Sequence, residues 1–387
     1  ALLMLSMLSG GTLSWLDMTG ILEVVVAVIP VFLYGLWRVL TAMKYHRAKP
    51  LVAYPPIGVV VPVYNGASTI EETLLSLIRA YYPNRKDIIV VDDGSTDGTR
   101  EIIQKYPVTL IAHRFNQGKR AAIELGILET QARSLPFVVT VDADTTIESQ
   151  ALTKLIAYFD DWYVGAVCGN IRVKNHSGAL TGIVSAEYWW SINFVRTGQS
   201  GINSVLIAAG CFSAFRNAAL AYTDVWQHTN VAEDMDLSTY TLQGGWKNKF
   251  ALDAVAHTKS PSTLRKLFKQ RVRWFRGNLQ LQHNRTRLFS LRGTFMESVL
   301  NLLFNQLGVF AELYSLFVAV ALSNLYLGIG VWLAANFLGI WSQCLVAEYF
   351  EHFNGKLRFV LMLPIYNILF MKTAFVYAFL TAWKRQW

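Results

Sequence analysis

An α/β domain built on a parallel sheet and held between membrane-spanning helices is the fold class that this sequence predicts. Three observations carry it: apolar blocks near both ends, a middle region of short β-branched runs alternating with helical periods, and a composition both apolar and basic. The chain has 387 residues, 53% hydrophobic and 13% aromatic, with a formal charge of +9 and a mean hydropathy of +0.31. That balance fits a membrane protein carrying a substantial polar domain. The three cysteines, Cys168, Cys211 and Cys344, lie far apart without metal-type spacing. They give no disulfide framework or zinc site, and each reads as a small buried apolar residue.

Taken in chain order, Ala1 to Leu16 is a short apolar segment, a second span or an interfacial helix. Ile21 to Met43 is almost wholly apolar apart from Glu23 and Arg38, long enough to cross a bilayer at roughly 20 residues per span. It ends in "KYHRAKP", whose basic residues place that end in the cytoplasm. Strands are expected at "IGVVVPVY" (57–64), "DIIVVDD" (87–93), "VTLIA" (108–112) and "PFVVTVDAD" (136–144). Helices are expected at "IEETLLSLIRAYY" (70–82), "GTREIIQKY" (98–106) and "GKRAAIELGILETQA" (118–132). Such alternation implies a parallel sheet with crossover helices. Three further apolar blocks run from about 295 to 322, 325 to 347 and 359 to 383. The first carries Asn301, Asn305, Gln306 and Glu312, as expected of a span facing protein or a channel. If residues 44–292 are cytoplasmic and all three blocks cross, "WKRQW" ends outside, against the charge rule. A re-entrant block or a further span resolves the conflict.

In parallel sheets ligands bind beyond the carboxyl ends of the strands, which places Asn65, Asp92, Asp93, Asp142 and Asp144 on one edge. Asp92-Asp93-Gly94 reads equally as a turn in which Ser95, Thr96 or Asp97 caps the next helix. In "VDADT", continued strand geometry points Asp142 and Asp144 the same way. Two adjacent carboxylates repel, and a hard divalent ion shared with a diphosphate relieves that. Lys119 of "NQGK" opens a helix, as a phosphate contact or an ordinary solvated lysine. "AEDMDLS" packs Glu233, Asp234 and Asp236 into a first helical turn, where acids are favoured by the dipole alone but one can also serve as general base. In "KQRVRWFRG", Gln270, Arg273 and Trp274 share a helix face, offering a fork for a diphosphate and a flat surface for a sugar ring. Between residues 254 and 296 stand ten Lys or Arg and no Asp or Glu, which also fits a basic amphipathic helix on anionic lipid.

Together "VVVPVYN", "VVDDGSTDGT", "NQGK", "VDADT", "AEDMDLS" and "QRVRW" resemble the ordered D, D, D, QxxRW signature of membrane-bound, processive family 2 glycosyltransferases. That family includes cellulose, chitin, hyaluronan and poly-N-acetylglucosamine synthases, and "AEDMDLSTYTLQGGWK" with "KQRVRWFRG" is most similar to bacterial poly-β-1,6-N-acetylglucosamine synthases. The resemblance implies a Rossmann-like GT-A domain inserted between transmembrane helices: 1–46 an N-terminal membrane region, 47–258 the cytoplasmic catalytic domain, 259–293 amphipathic interface helices, 294–387 a C-terminal membrane region. It implies a UDP-sugar donor held by Asp92 and Asp93 beside Pro62, Tyr64 and Asn65, with Lys119 near the diphosphate. Asp142 and Asp144 would hold Mg²⁺ or Mn²⁺, Asp144 more directly. Asp234 would be the base and Glu233 its neighbour, with Gln270, Arg273 and Trp274 closing the site. Gly210 and Cys211 of "GCFSAFR", with Trp274, would line the acceptor end. The acceptor is a growing polysaccharide or a lipid, membrane lipids surround the chain, and a small membrane subunit is a candidate partner. Arg271 departs from the pattern, standing where several relatives carry a second Gln. A lipid glycosyltransferase similar to ceramide glucosyltransferase shares the motif order. A transporter would leave the aligned acids unexplained, and the basic run abuts a span, so no nucleic acid is expected.

Overall fold

The computed structural model describes residues 33–176, 178–220, 233–284 and 325–382. The N-terminal apolar segment, most of the span ending at Met43 and the whole of block 295–322 lie outside them.

Strands β1 (Ile57–Val63), β2 (Lys86–Asp92), β3 (Thr109–Ala112), β4 (Phe137–Val141), β5 (Thr145–Ile147), β6 (Val164–Val173), β7 (Phe212–Arg216) and β8 (Lys247–Thr258) form one sheet, ordered β3-β2-β1-β4-β7-β6-β8-β5. The β3-β2-β1-β4 half is parallel, as the alternation predicts. The other half is mixed: β7 runs antiparallel to β4 and β6, and β5 to β8. The expectation of a parallel sheet is corrected there. The Asp142 amide donates to the Cys211 carbonyl (3.3 Å), so the chain enters β7 beside the end of β4 and runs back along it.

Helices α1 (Ile70–Arg79), α2 (Thr99–Ile103) and α3 (Lys119–Ala132) pack around the parallel half, and α4 (Ala151–Ala157) lies against β8, β6 and β7. Val59, Val61 and Val63 pack with Leu74 and Leu77 of α1 and Leu152 and Ile156 of α4. Val60, pointing the other way, packs with Ile123 and Ile127 of α3. Burial on both faces is why the strand reads as one apolar run without alternation.

A single continuous helix combines α5 (Ala179–Glu187), a π turn over Tyr188–Phe194 and α6 (Val195–Gly201). After α7 (Asn217–Leu220) and α8 (Glu233–Gln243) come the long α9 (Leu264–Asn284) and α10 (Leu325–Phe350). The last is α11 (Leu357–Tyr366), which runs through a π turn at Asn367–Met371 into α12 (Lys372–Leu380). Ala42, Ala186, Trp189, Phe194, Ile340 and Leu363 share one apolar cluster, so α10 and α11 pack on the Ala179–Gly201 helix and on helical residues 33–42. Glu351, just past α10, accepts hydrogen bonds from Asn170 (2.8 Å), Arg172 (2.8 Å) and Asn193 (3.0 Å), which ties these helices to β6. Among the described residues one helical stretch, Leu357–Leu380, is long and apolar enough to cross a bilayer.

Candidate active site

The carboxyl ends of β1, β2 and β4 emerge at one edge, with Val63 opposite Asp92. There the Asp-Asp turn looks inward. Asp92 is fully buried; its Oδ1 accepts the Ser95 amide (2.9 Å) and its Oδ2 the Arg100 guanidinium (2.8 and 3.0 Å). Asp93, also buried, holds His113 Nδ1 (2.7 Å) and the amides of Gln117 and Gly118 (both 2.8 Å). The pair therefore fixes the turn and the loop before Lys119. Asp97 completes the turn, its Oδ1 accepting the Thr99 amide at the start of α2 (3.2 Å). Pro62 is buried within β1. Tyr64 is half exposed, and Asn65, at φ 49°, accepts the Thr96 amide at 2.9 Å. Asp92, Asp93, Pro62, Tyr64 and Asn65 do not line the cavity that holds the other candidates.

That cavity, about 440 Å³, lies at the same sheet edge and is lined by Lys119, Asp142, Asp144, Glu233, Asp234 and Arg273, among others. Strand geometry does not continue through "DAD": β4 ends at Val141 and the Thr145 amide closes a turn on the Asp142 carbonyl (3.0 Å). The two carboxylates reach the cavity through this turn, with Ala143 packed inward. Lys119 Nζ lies 2.7 Å from Asp142 Oδ1 and 3.2 Å from Glu233 Oε1. Burial alone would lower its pKa, but the Asp142 and Glu233 charges outweigh that and raise it, so the ammonium persists. Burial, then the charge of Asp142, raises the Asp144 carboxyl. Burial works to raise Glu233 as well, yet Lys119 leaves it lowered. Asp234 is raised, by burial first and by Glu233 second.

The first turn of α8 aims Glu233 and Asp234 into the cavity, while Asp236 turns back to Arg120 of α3 (2.5 Å). The Asp234 carboxylate accepts the Gly210 amide (3.2 Å) and the Met235 amide (2.9 Å). An added Cβ at Gly210 would sit 3.4 Å from the Asp234 side chain and 3.5 Å from Lys119 Nζ, which shows how closely the backbone approaches. Cys211 also lines the cavity; burial and then Asp142 push its thiol well up, so it is no thiolate nucleophile. From α9, Gln270, Arg273 and Trp274 line the cavity together, as their spacing predicts.

Residues 58–222 match the family model for glycosyl transferase family 2. They are a family 2 glycosyl transferase domain. Curated relatives of the chain include poly-β-1,6-N-acetyl-D-glucosamine synthases of Staphylococcus aureus strain COL, 33% identical over 219 residues (55% of this chain, 52% of that one). Another, from Staphylococcus epidermidis, is 32% identical over 226 residues (57% and 54%). The chain thus spans about half the length of the curated relatives it matches. Among solved structures it is similar to the mannosyltransferase PcManGT of Pyrobaculum calidifontis in complex with GDP-Man and Mn²⁺. The TM-score is 0.68 at 21% identity, covering 95% of this chain and 99% of that one. The transferase domain accordingly has a GT-A-like fold with a mixed sheet.

Sequence reasoning treats Arg271 as a departure and passes over Glu187. In the structure both are buried, and Arg271 Nη2 and Nε meet the Glu187 carboxylate at 2.7 and 3.1 Å. Arg271 Nη1 also donates to Gln270 Oε1 (2.6 Å), and its guanidinium lies 4.2 Å from the Trp274 ring centre. The Tyr366 hydroxyl donates to Glu187 (2.9 Å). A buried ion pair therefore holds two cavity-lining side chains of α9. The only signal in the sequence is the cation itself, beside the tryptophan; its partner is 84 positions away.

Proposed function

We propose that the chain is an inverting, metal-dependent membrane glycosyltransferase that polymerises a UDP-sugar, UDP-GlcNAc first among candidates, into a β-linked polysaccharide. The observation that carries this is the convergence of Asp142, Asp144, Lys119, Glu233, Asp234 and Arg273 on one cavity, in a chain similar to poly-GlcNAc synthases. Asp234, its affinity for protons raised, takes the proton of the acceptor hydroxyl. The hydroxyl oxygen attacks the anomeric carbon as the bond to the UDP oxygen breaks on the opposite face, so an α-linked donor yields a β-linked product. Lys119 and Arg273 lie where they can stabilise negative charge growing on the departing diphosphate. Trp274 stacks on the acceptor sugar, beside Cys211 and Gly210, and Gln270 keeps its neighbours in place.

Among the described residues no three His, Cys, Asp or Glu converge as a self-sufficient metal site. Asp142 and Asp144 nonetheless fit a divalent ion: two hard oxygen donors, one destabilised by burial and then by its neighbour's charge, suffice when substrate phosphates complete the shell. Bound there, Mg²⁺ or Mn²⁺ supplies a Lewis acid that neutralises diphosphate charge. Asp92 and Asp93 shape the donor-side loops, with Tyr64 and Asn65 presented to the nucleoside. Residues 47–258 form the catalytic unit, 259–293 the interface and 294–387 a membrane region with residues 1–46. A row of exposed apolar side chains supports bilayer contact: Leu338, Leu345, Leu357, Leu361, Ile365 and Leu369.

The test is product analysis of full-length protein in nanodiscs given a divalent metal and UDP-GlcNAc, UDP-glucose or UDP-glucuronate, singly and in pairs. A β-linked polymer from UDP-GlcNAc alone is the expected result. A single sugar added to lipid would replace the polymer reading, and no transfer from any donor would remove it.

A further inference from the structure

Lys119 is tied to a carboxylate that the proposed divalent ion needs. Its Nζ lies 2.7 Å from Asp142 Oδ1, and Glu233 Oε1 holds it from another side at 3.2 Å. The acids are gathered round this ammonium: Asp142, Glu233 and, through space, Asp234 all act on it. Among the described residues no three of them converge as a metal site. The backbone of Lys119 is fixed from both sides. The Gln117 and Gly118 amides before it are bonded to Asp93 (both 2.8 Å), and the Arg120 side chain after it is bonded to Asp236 of α8 (2.5 Å). What is left to move is the flexible stem, whose ammonium is a point charge with no fixed geometry to keep. A divalent ion on Asp142 and Asp144 would stand within a few Å of that ammonium, and two cations so close repel each other unless an anion comes to one of them. A diphosphate is such an anion, and the ammonium released from Asp142 is a charge-assisted donor for it.

We infer that Lys119 is a resident counter-cation of the Asp142–Asp144 pair, which holds Asp142 until a nucleoside diphosphate arrives and then turns to its phosphates, so that a divalent ion binds weakly alone and tightly with the nucleotide. The inference deepens the proposed function and rests on the donor and metal assignments made there. Metal and nucleotide are coupled through a side chain of the protein as well as through their own contact. By linkage each raises the other's affinity by the same factor. When the nucleoside diphosphate leaves after transfer, the ammonium returns to Asp142 and loosens the ion that remains.

The experiment uses the full chain in phosphatidylcholine nanodiscs and reads Mn²⁺ binding from the electron paramagnetic resonance of the free ion, with and without UDP, so that no turnover is needed. Wild type should bind Mn²⁺ about a hundredfold more tightly with saturating UDP than alone, at the upper end of ordinary coupling. Lys119→Met should bind Mn²⁺ alone about tenfold more tightly than wild type, as removal of a like charge a few Å away does, and its coupling to UDP should shrink. Lys119→Arg keeps the charge and should bind Mn²⁺ alone as wild type does, which separates charge from shape. Unchanged affinity for Mn²⁺ alone in Lys119→Met, with UDP binding weakened, would make Lys119 a phosphate ligand only and overturn the inference. A structure of the wild-type complex with UDP and Mn²⁺ needs no variant. In it Lys119 Nζ should stand by the diphosphate, beyond the ion-pair limit of about 4 Å from Asp142; the 2.7 Å contact kept beside a bound ion would overturn the inference as well. Failure of wild type to bind Mn²⁺ even with UDP would instead remove the metal assignment on which the inference rests.

Discussion

Asp234 and Arg271 show how two buried charges in one site do different work. Asp234 has an elevated pKa because burial and Glu233 disfavour its anion, and a base acts only once deprotonated. Turnover should therefore rise with pH along a limb lying above the ordinary carboxylate value of about 3.9. A limb at the ordinary value would take the base role from Asp234. Replacement by Asn should cut turnover roughly a hundredfold or more, as for loss of a general base, while the donor dissociation constant stays the same; equal turnover refutes the assignment. Arg271 touches no reacting atom in this scheme; it positions Trp274 and Gln270. Arg271→Leu leaves the Glu187 charge buried with only the Tyr366 hydroxyl, so a stability loss of about 3–5 kcal/mol is expected. Adding Glu187→Leu should restore most of it, because a matched apolar pair can replace a buried ion pair. Acceptor KM should remain raised in the double variant. Full recovery of KM with stability would show the pair to be structural only.

Among the elements, helical residues 33–42 and α6 meet backbone to backbone at Gly201. A Cβ at Gly201 would fall 1.9 Å from the Thr41 carbonyl oxygen, a clash with backbone that no rotamer change relieves. Gly201→Ala should push the two helices apart and cost about 1–3 kcal/mol, as overpacking does, read as a lower midpoint in thermal inactivation. A midpoint matching wild type would mean that the helices separate freely. The π turn at Tyr188–Phe194 belongs to the same junction. Such turns are frequent at functional sites, and here the turn supplies Tyr188, Ser191 and Ile192 to the cavity wall.

The whole molecule depends on how firmly the last helices are fixed to the sheet. Glu351 gathers Asn170, Arg172 and Asn193 onto one carboxylate, and its backbone carbonyl accepts the Trp189 indole N–H (2.7 Å). Glu351→Ala would strand several buried donors, each costing about 1–3 kcal/mol, and should lower the inactivation temperature although no cavity residue changes. An unaltered temperature would show that apolar packing alone holds α10 and α11 in place.

Much of this was legible in the chain itself. The apolar runs of β1, β2 and β4 are strands because both faces are covered, and covered faces select continuous β-branched residues. The helical spacing of Gln270, Arg273 and Trp274 predicted a shared face because the α-helical period is local. Local rules also gave the carboxylates their common edge. They could not give the antiparallel course of β7, which depends on where a distant loop re-enters the sheet. Nor could they give the inward turn of Asp93, since the amides that hold it lie 24 and 25 residues away. The Arg271–Glu187 pair was hidden for the same reason. Sequence by itself determined which residues carry charge and which local element holds them; the tertiary structure decided which charges meet, because burial and pairing between distant segments exist only once the chain has packed.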